Sequence, residues 1–155
     1  MACGKAAGGG ILPVSFVAGR NDIIEVLTPG SEGSTFGGYP LASIVGIYAI
    51  KTLVDGDLAN HAKIRGAQLL SGLNNIKNDF PDKIKIVRGK GLLTAFEMHN
   101  HAFLDGHKVS INLLAKGVYA KETHHSTVRL APALTISENQ INLLLSAVRD
   151  VIKDI

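Results

Sequence analysis

The apolar positions change rhythm once along the chain, near Pro81. Ahead of it they form long helical stretches, and beyond it they alternate over short distances. Pro13-Val-Ser-Phe-Val-Ala18 reads as a short strand ended by Gly19, and Asn21 or Asp22 can cap a short helix to Leu27. Pro40 suits the first turn of a helix whose residues Leu41 to Val54 are apolar almost all the way round, the pattern of a buried helix. Asp55-Gly56-Asp57 stops it and caps a second helix from Leu58 to about Asn78, where Ala62, Leu69, Leu70, Leu73 and Ile76 keep helical spacing. Phe80-Pro81 ends that helix.

Beyond Pro81, Ile84 to Val87 and Leu92 to Met98 alternate as strands, joined through a corner at Arg88-Gly-Lys-Gly91. Val109 to Ala115 reads as helix with Gly117 as its stop, and Val118 to Lys121 and Thr127 to Ala131 as two more strands. Ser137 with Gln140 three positions on is a capping box for a final amphipathic helix to Ile152. The second half is thus β-β-α-β-β-α, a small α+β unit with helices on one face of a sheet. The first half, one strand and long buried helices, is not a closed fold.

Composition narrows the class. The 155 residues are 46% hydrophobic and 19% charged, which excludes an intrinsically disordered chain. The single Cys, Cys3, excludes a disulfide scaffold, and the longest apolar run, Ile44 to Ile50, is too short to span a membrane. Gly8 to Gly10 and Pro13 break the stretch that a secretory signal would need. The net charge of +3 comes from scattered cations, so nucleic acid is not an expected partner. A cytoplasmic protein is expected. Nine of the 17 glycines crowd into the first 38 residues, which marks that region for closer reading.

Lys5 sits between Gly4 and the small-residue run ending Gly8-Gly9-Gly10, where a ligand can approach closely. A lysine so placed is either a nucleophile for Schiff-base chemistry or a solvated loop residue. A phosphate-binding P-loop would need the lysine after the glycines, so that reading fails. Gly33-Ser-Thr-Phe-Gly-Gly38, with the Ser34 and Thr35 hydroxyls, is either a nest for phosphate oxygens or an ordinary turn. Arg129, in a strand pattern before Ala131-Pro132, either grips a carboxylate with its planar fork or projects into solvent. His99 and His101 flank Asn100, and His124 and His125 are adjacent, but neither pair has a Cys or acidic ligand at metal spacing, so no metal is expected.

In this order the segments resemble the C-terminal part of the class III (fold-type I) pyridoxal-phosphate aminotransferases. Gly4-Lys5-Ala-Ala-Gly-Gly-Gly10 followed by Pro13-Val-Ser is similar to that family's cofactor-lysine loop. Pro29-Gly30 and Gly33-Ser-Thr-Phe-Gly-Gly38 with Pro40-Leu41 resemble its phosphate-contacting loop. Arg88-Gly-Lys-Gly-Leu-Leu93, Lys121-Glu-Thr-His124 and Val128-Arg-Leu-Ala-Pro132 narrow the resemblance to the ornithine δ-aminotransferase branch, with acetylornithine aminotransferases as the nearest alternative. The resemblance covers Gly4 to the C-terminus. Glu32 stands where the family carries a histidine, and Tyr39 where it carries an asparagine.

The resemblance implies an α/β fold: the remnant of a large pyridoxal-phosphate domain (1–56), a connecting helix (57–80) and a small α+β C-terminal domain (81–155). It implies that Lys5 bonds covalently to pyridoxal 5'-phosphate as the internal aldimine and later shuttles the substrate proton. Ser34 and Thr35 would hold the cofactor phosphate of the neighbouring subunit in a homodimer. Arg129 would grip the α-carboxylate of 2-oxoglutarate or glutamate. The reaction implied moves the δ-amino group of ornithine to 2-oxoglutarate, giving glutamate semialdehyde and glutamate. The family's acidic partner of the pyridine nitrogen precedes the lysine, so the chain is expected to be an N-terminally truncated form, inactive alone. A non-catalytic interaction module is the alternative of another class.

Overall fold

The computed structural model describes residues 1–99 and 105–155. These divide into two compact units, Met1–Asp57 and Leu58–Ile155.

The first unit is a turn-rich segment carried on one long helix. β1 (Ala2–Cys3) pairs antiparallel with β2 (Phe16–Val17), with Cys3 opposite Phe16. The expected strand over 13–18 is therefore only two residues long, and its partner lies in residues that the sequence pattern reads as loop. Pro13 has no N–H to donate to such a ladder, which disfavours a longer strand there. The short helix α1 (Asn21–Ile24) starts after Arg20, whose guanidinium pairs with Asp22 in the first turn. α2 (Pro40–Asp55) has proline at its first turn, as the pattern predicts.

The expectation that α2 is buried is corrected. Gly46 alone of its residues is buried, while Leu41, Ile44, Ile47, Tyr48 and Val54 are each more than half exposed. Its own unit supplies only the short β1–β2 ladder, too small to cover those faces, so most of the apolar pattern stands without a layer against it.

The second unit closes a core. α3 (Leu58–Asp79), the helix read above as a connector, buries Leu69, Leu73 and Ile76 in it. β3 (Ile84–Lys90), β4 (Leu93–Met98), β5 (Lys121–Thr123) and β6 (Thr127–Leu130) form an antiparallel sheet in the order β3-β4-β6-β5. Gly91 and Leu92 make the β3–β4 turn, with Gly91 at φ 57, so Arg88 to Lys90 are strand residues and not the expected corner. The strand expected over 118–121 begins only at Lys121. Val118 instead closes the preceding helix, its N–H donating to the Leu113 carbonyl.

α4 (Gly106–Ala115) is capped by Asp105, whose carboxylate accepts from the His107 N–H at 2.9 Å. α5 (Glu138–Asp154) carries the expected Ser137–Gln140 capping box. The helices α3, α4 and α5 lie on one face of the sheet. Phe96, Met98, Val128 and Leu130 meet them there, each at most 1% exposed, and each such burial stabilises by about 1.5–3 kcal/mol. Residues of opposite parity on β4 and β6, such as Glu97 and Arg129, project from the other face.

Candidate functional site

The lysine loop is built by its glycines. Gly4 is extended, a 3-10 turn follows over Lys5–Gly8, and Gly9 and Gly10 take the left-handed conformation at φ 61 and 78. A Cβ on Gly8 would lie 3.3 Å from Val14, so the missing side chain lets the two arms of the loop close on each other. Lys5 itself is left-handed at φ 54, a region that costs an L-residue about 1–2 kcal/mol. Its side chain is exposed and faces an open cleft of about 540 Å³ with Gly10, Leu12, Pro13, Val14 and Ser15. Among the described residues Nζ makes no hydrogen bond or ion pair, so the amine is available to a ligand.

Ser34 and Thr35 open a tight turn in which the Gly37 N–H donates to the Ser34 carbonyl at 3.0 Å. Gly38 at φ 73 then turns the chain into α2. Both residues are exposed, and neither hydroxyl is engaged within the described residues. Ser34 lines a second, larger cleft of about 800 Å³ together with Phe16, Phe36, Tyr39, Ile47 and Ile50. Leu12 to Ser15 form a wall common to both clefts. Lys5 and Ser34 therefore face different clefts, and Thr35 lines neither. Glu32 lines neither cleft.

Arg129 belongs to the second unit. It is exposed on β6, opposite Ala95 of β4 and Lys121 of β5, and its guanidinium makes no ion pair or hydrogen bond among the described residues. Glu97, on the same sheet face, is occupied by Arg88 at 3.0 Å and Lys85 at 3.1 Å. Their hydrogen bonds, Arg88's first, hold the Glu97 carboxyl below its ordinary range. Sequence reading missed this cluster and missed Lys121 as the neighbour of Arg129. The signal was available only through strand register, which short strands and a displaced β5 conceal.

A third cleft, about 520 Å³, is lined by Asp105, His107, Glu122, Thr123, His124 and His125. His107 Nδ1 lies 3.5 Å from Glu122, whose carboxyl is lowered first by its own backbone N–H and then by His107. His124 and His125 are left-handed at φ 51 and 62. Among the described residues no group of three or more His, Cys, Asp or Glu could hold a metal ion, and His101 lies outside them.

These residues fit parts of a pyridoxal-phosphate site. Lys5 offers an unpaired primary amine on an open cleft, and Ser34 and Thr35 offer unengaged hydroxyls beside a glycine turn. No helix among the described residues is long and apolar enough to cross a membrane.

A family model described as aminotransferase class-III matches residues 1–152. The mitochondrial ornithine aminotransferase of Arabidopsis thaliana is 40% identical over 152 residues, covering 97% of this chain and 32% of that protein. Ornithine aminotransferase 1 of Staphylococcus aureus (strain MRSA252) is 39% identical over 153 residues, covering 97% of this chain and 36% of that protein. The chain thus spans about a third of the length of these curated relatives. Among solved structures, the acetylornithine aminotransferase from Elizabethkingia anophelis matches with a TM-score of 0.92 and 35% identity, covering 99% of this chain and 40% of that one. The ornithine aminotransferase from Toxoplasma gondii ME49 matches with the same score and identity, covering 99% and 36%. The α/β fold class expected from the sequence is that of these neighbours.

Proposed function

The chain belongs to the class-III aminotransferase family, and on that premise we propose that it supplies the cofactor lysine and a substrate-carboxylate arginine of an ornithine aminotransferase. The curated relatives above are ornithine aminotransferases at about 40% identity, which favours ornithine and 2-oxoglutarate as substrates. The reaction carries the δ-amino group of ornithine to 2-oxoglutarate, leaving glutamate semialdehyde and glutamate. The equal match to an acetylornithine aminotransferase structure keeps acetylornithine as the second reading.

Lys5 carries the proposal, because its unpaired amine fronts an open cleft lined also by Gly10 and Leu12 to Ser15. Its amine would hold the cofactor at its aldehyde carbon and would serve as the base that moves the proton at the amino-bearing carbon. Pyridoxal phosphate supplies the electron sink when bound. The Ser34 and Thr35 hydroxyls would donate to the oxygens of its phosphate. As the family resemblance implies, that phosphate would be the one on the cofactor of a second subunit in a homodimer. Arg129, unpaired in the second unit, takes a carboxylate of 2-oxoglutarate through its two-bond fork. The 155-residue chain alone does not turn over, since Lys5 is exposed to water that a working site must exclude.

Titrating the purified chain with pyridoxal phosphate tests the lysine. An absorbance band that appears with the wild type and is lost in Lys5→Ala is expected. A band of equal size in Lys5→Ala would sink the assignment, and ornithine-dependent turnover by the isolated chain would overturn its inactivity.

A further inference from the structure

Arg129 and Lys121 stand directly opposite each other on β6 and β5. Directly opposite residues share a sheet face, with Cβ atoms about 4.5–5.5 Å apart, and like charges so placed repel. No ion pair relieves that repulsion among the described residues, although the Lys121 charge acts on the carboxyl of Glu122, the next residue along β5. Glu122, next to Lys121, points to the helix face, where His107 of α4 meets it at 3.5 Å. On the other side of Arg129 stands Ala95, a methyl group, and beyond it in the same transverse row stands another cation, Arg88. Glu97 is the sole carboxylate that the four strands present on the polar face, and it is held by Arg88 and Lys85.

Lys85 and Arg88 therefore share one acid, whereas Lys90 and the Arg129–Lys121 pair have no ion pair among the described residues, and of these cations only Arg129 and Lys121 face each other directly across a strand pair. An anion seated between the two side chains would remove the repulsion and accept charge-assisted hydrogen bonds from both. We propose that Lys121 is a second substrate-binding residue, closing with Arg129 on one carboxylate of a dicarboxylate substrate. The inference rests on the reading of Arg129 as the carboxylate arginine. It adds the residue that sets the strength of the grip: the guanidinium fork fixes the carboxylate plane, and the ammonium supplies a mobile point charge against its outer oxygen.

Backbone NMR of the 155-residue chain titrated with glutarate at low ionic strength tests it, because the probe needs neither cofactor nor turnover. Shifts centred on the amides of Ala95, Lys121 and Arg129 are expected. Lys121→Gln should weaken binding about fivefold, the effect of one exposed charge at about 4 Å in water, and Lys121→Arg should restore most of it. Arg129→Gln should weaken it at least as much. Lys116→Gln, which removes a lysine paired with Asp150 on the helix side, should change nothing. If Arg129→Gln weakens binding and Lys121→Gln does not, the two-cation site is wrong while the reading of Arg129 survives. Shifts that map elsewhere, or that neither substitution affects, reject both. An equal loss in Lys116→Gln reduces the effect to net charge and rejects the proposal.

Discussion

Gly66→Ala separates two opposed physical effects at the point where α3 meets the β3–β4 turn. In a helix interior, alanine is favoured over glycine by about 1 kcal/mol, so propensity alone predicts a gain. The structure predicts a loss. A Cβ on Gly66 would stand 2.2 Å from the carbonyl carbon and oxygen of Gly91 and 2.5 Å from its Cα. Those are backbone atoms of a two-residue turn, with no rotamer to change. Restoring an ordinary 3.4 Å contact requires moving the turn or the helix by about 1.2 Å. Overpacking of a fixed site costs about 1–3 kcal/mol, and a clash with three backbone atoms belongs at the upper end. The net loss is then about 2 kcal/mol, or a urea midpoint lower by about 1 M for a slope of about 2 kcal/mol/M. Urea unfolding followed by far-ultraviolet circular dichroism measures it. Gly72→Ala is the control: its Cβ would also meet an atom at 2.2 Å, but that atom is Cδ1 of Leu145, the end of a flexible side chain. Its cost should stay below about 1 kcal/mol, as its helix gain offsets a side chain that can rotate away. A Gly66→Ala chain as stable as the wild type, or less affected than Gly72→Ala, refutes the reasoning.

Two further outcomes follow from the charges and the packing. Because Glu97 titrates below its ordinary value of 4.5 in the folded state, its ion pairs stabilise the fold above that pH, and the contribution is lost as the pH falls through the lowered value. The melting temperature of wild type should exceed that of Glu97→Gln at neutral pH and converge with it in acid; a difference that persists or grows in acid contradicts this sign. Amide hydrogen exchange should be slowest at Phe96 and Val128, which are fully buried, and fast throughout α2, whose large side chains are exposed. Equal protection of α2 and β4 in the isolated chain would show that α2 is buried against something else.

The sequence patterns were most informative where one short stretch carries the whole signal. The Ser137–Gln140 box, Pro40 at a helix start and the spacing of Leu69, Leu73 and Ile76 each locate a helix to within a residue or two. They failed where pairing decides. Arg88 to Lys90 read as a corner because of their glycine, yet the register places them in a strand, and Gly89 lies so close to the Thr94 backbone that a Cβ there would clash at 2.8 Å. The apolar circumference of α2 was legible, but its covering layer is not within its own unit, so pattern and burial disagree. Lys5, Ser34, Thr35 and Arg129 could be nominated from residue type and order. The separation of Lys5 and Ser34 into two clefts, and the cation facing Arg129, depend on register and turn geometry that no local pattern records.

The uncovered helix also bears on how the chain behaves at high concentration. Leu41, Ile44, Ile47 and Val54 of α2 are apolar yet exposed, and a patch of that kind draws copies of a chain into association. The fraction of unaggregated chain should therefore fall as its concentration rises.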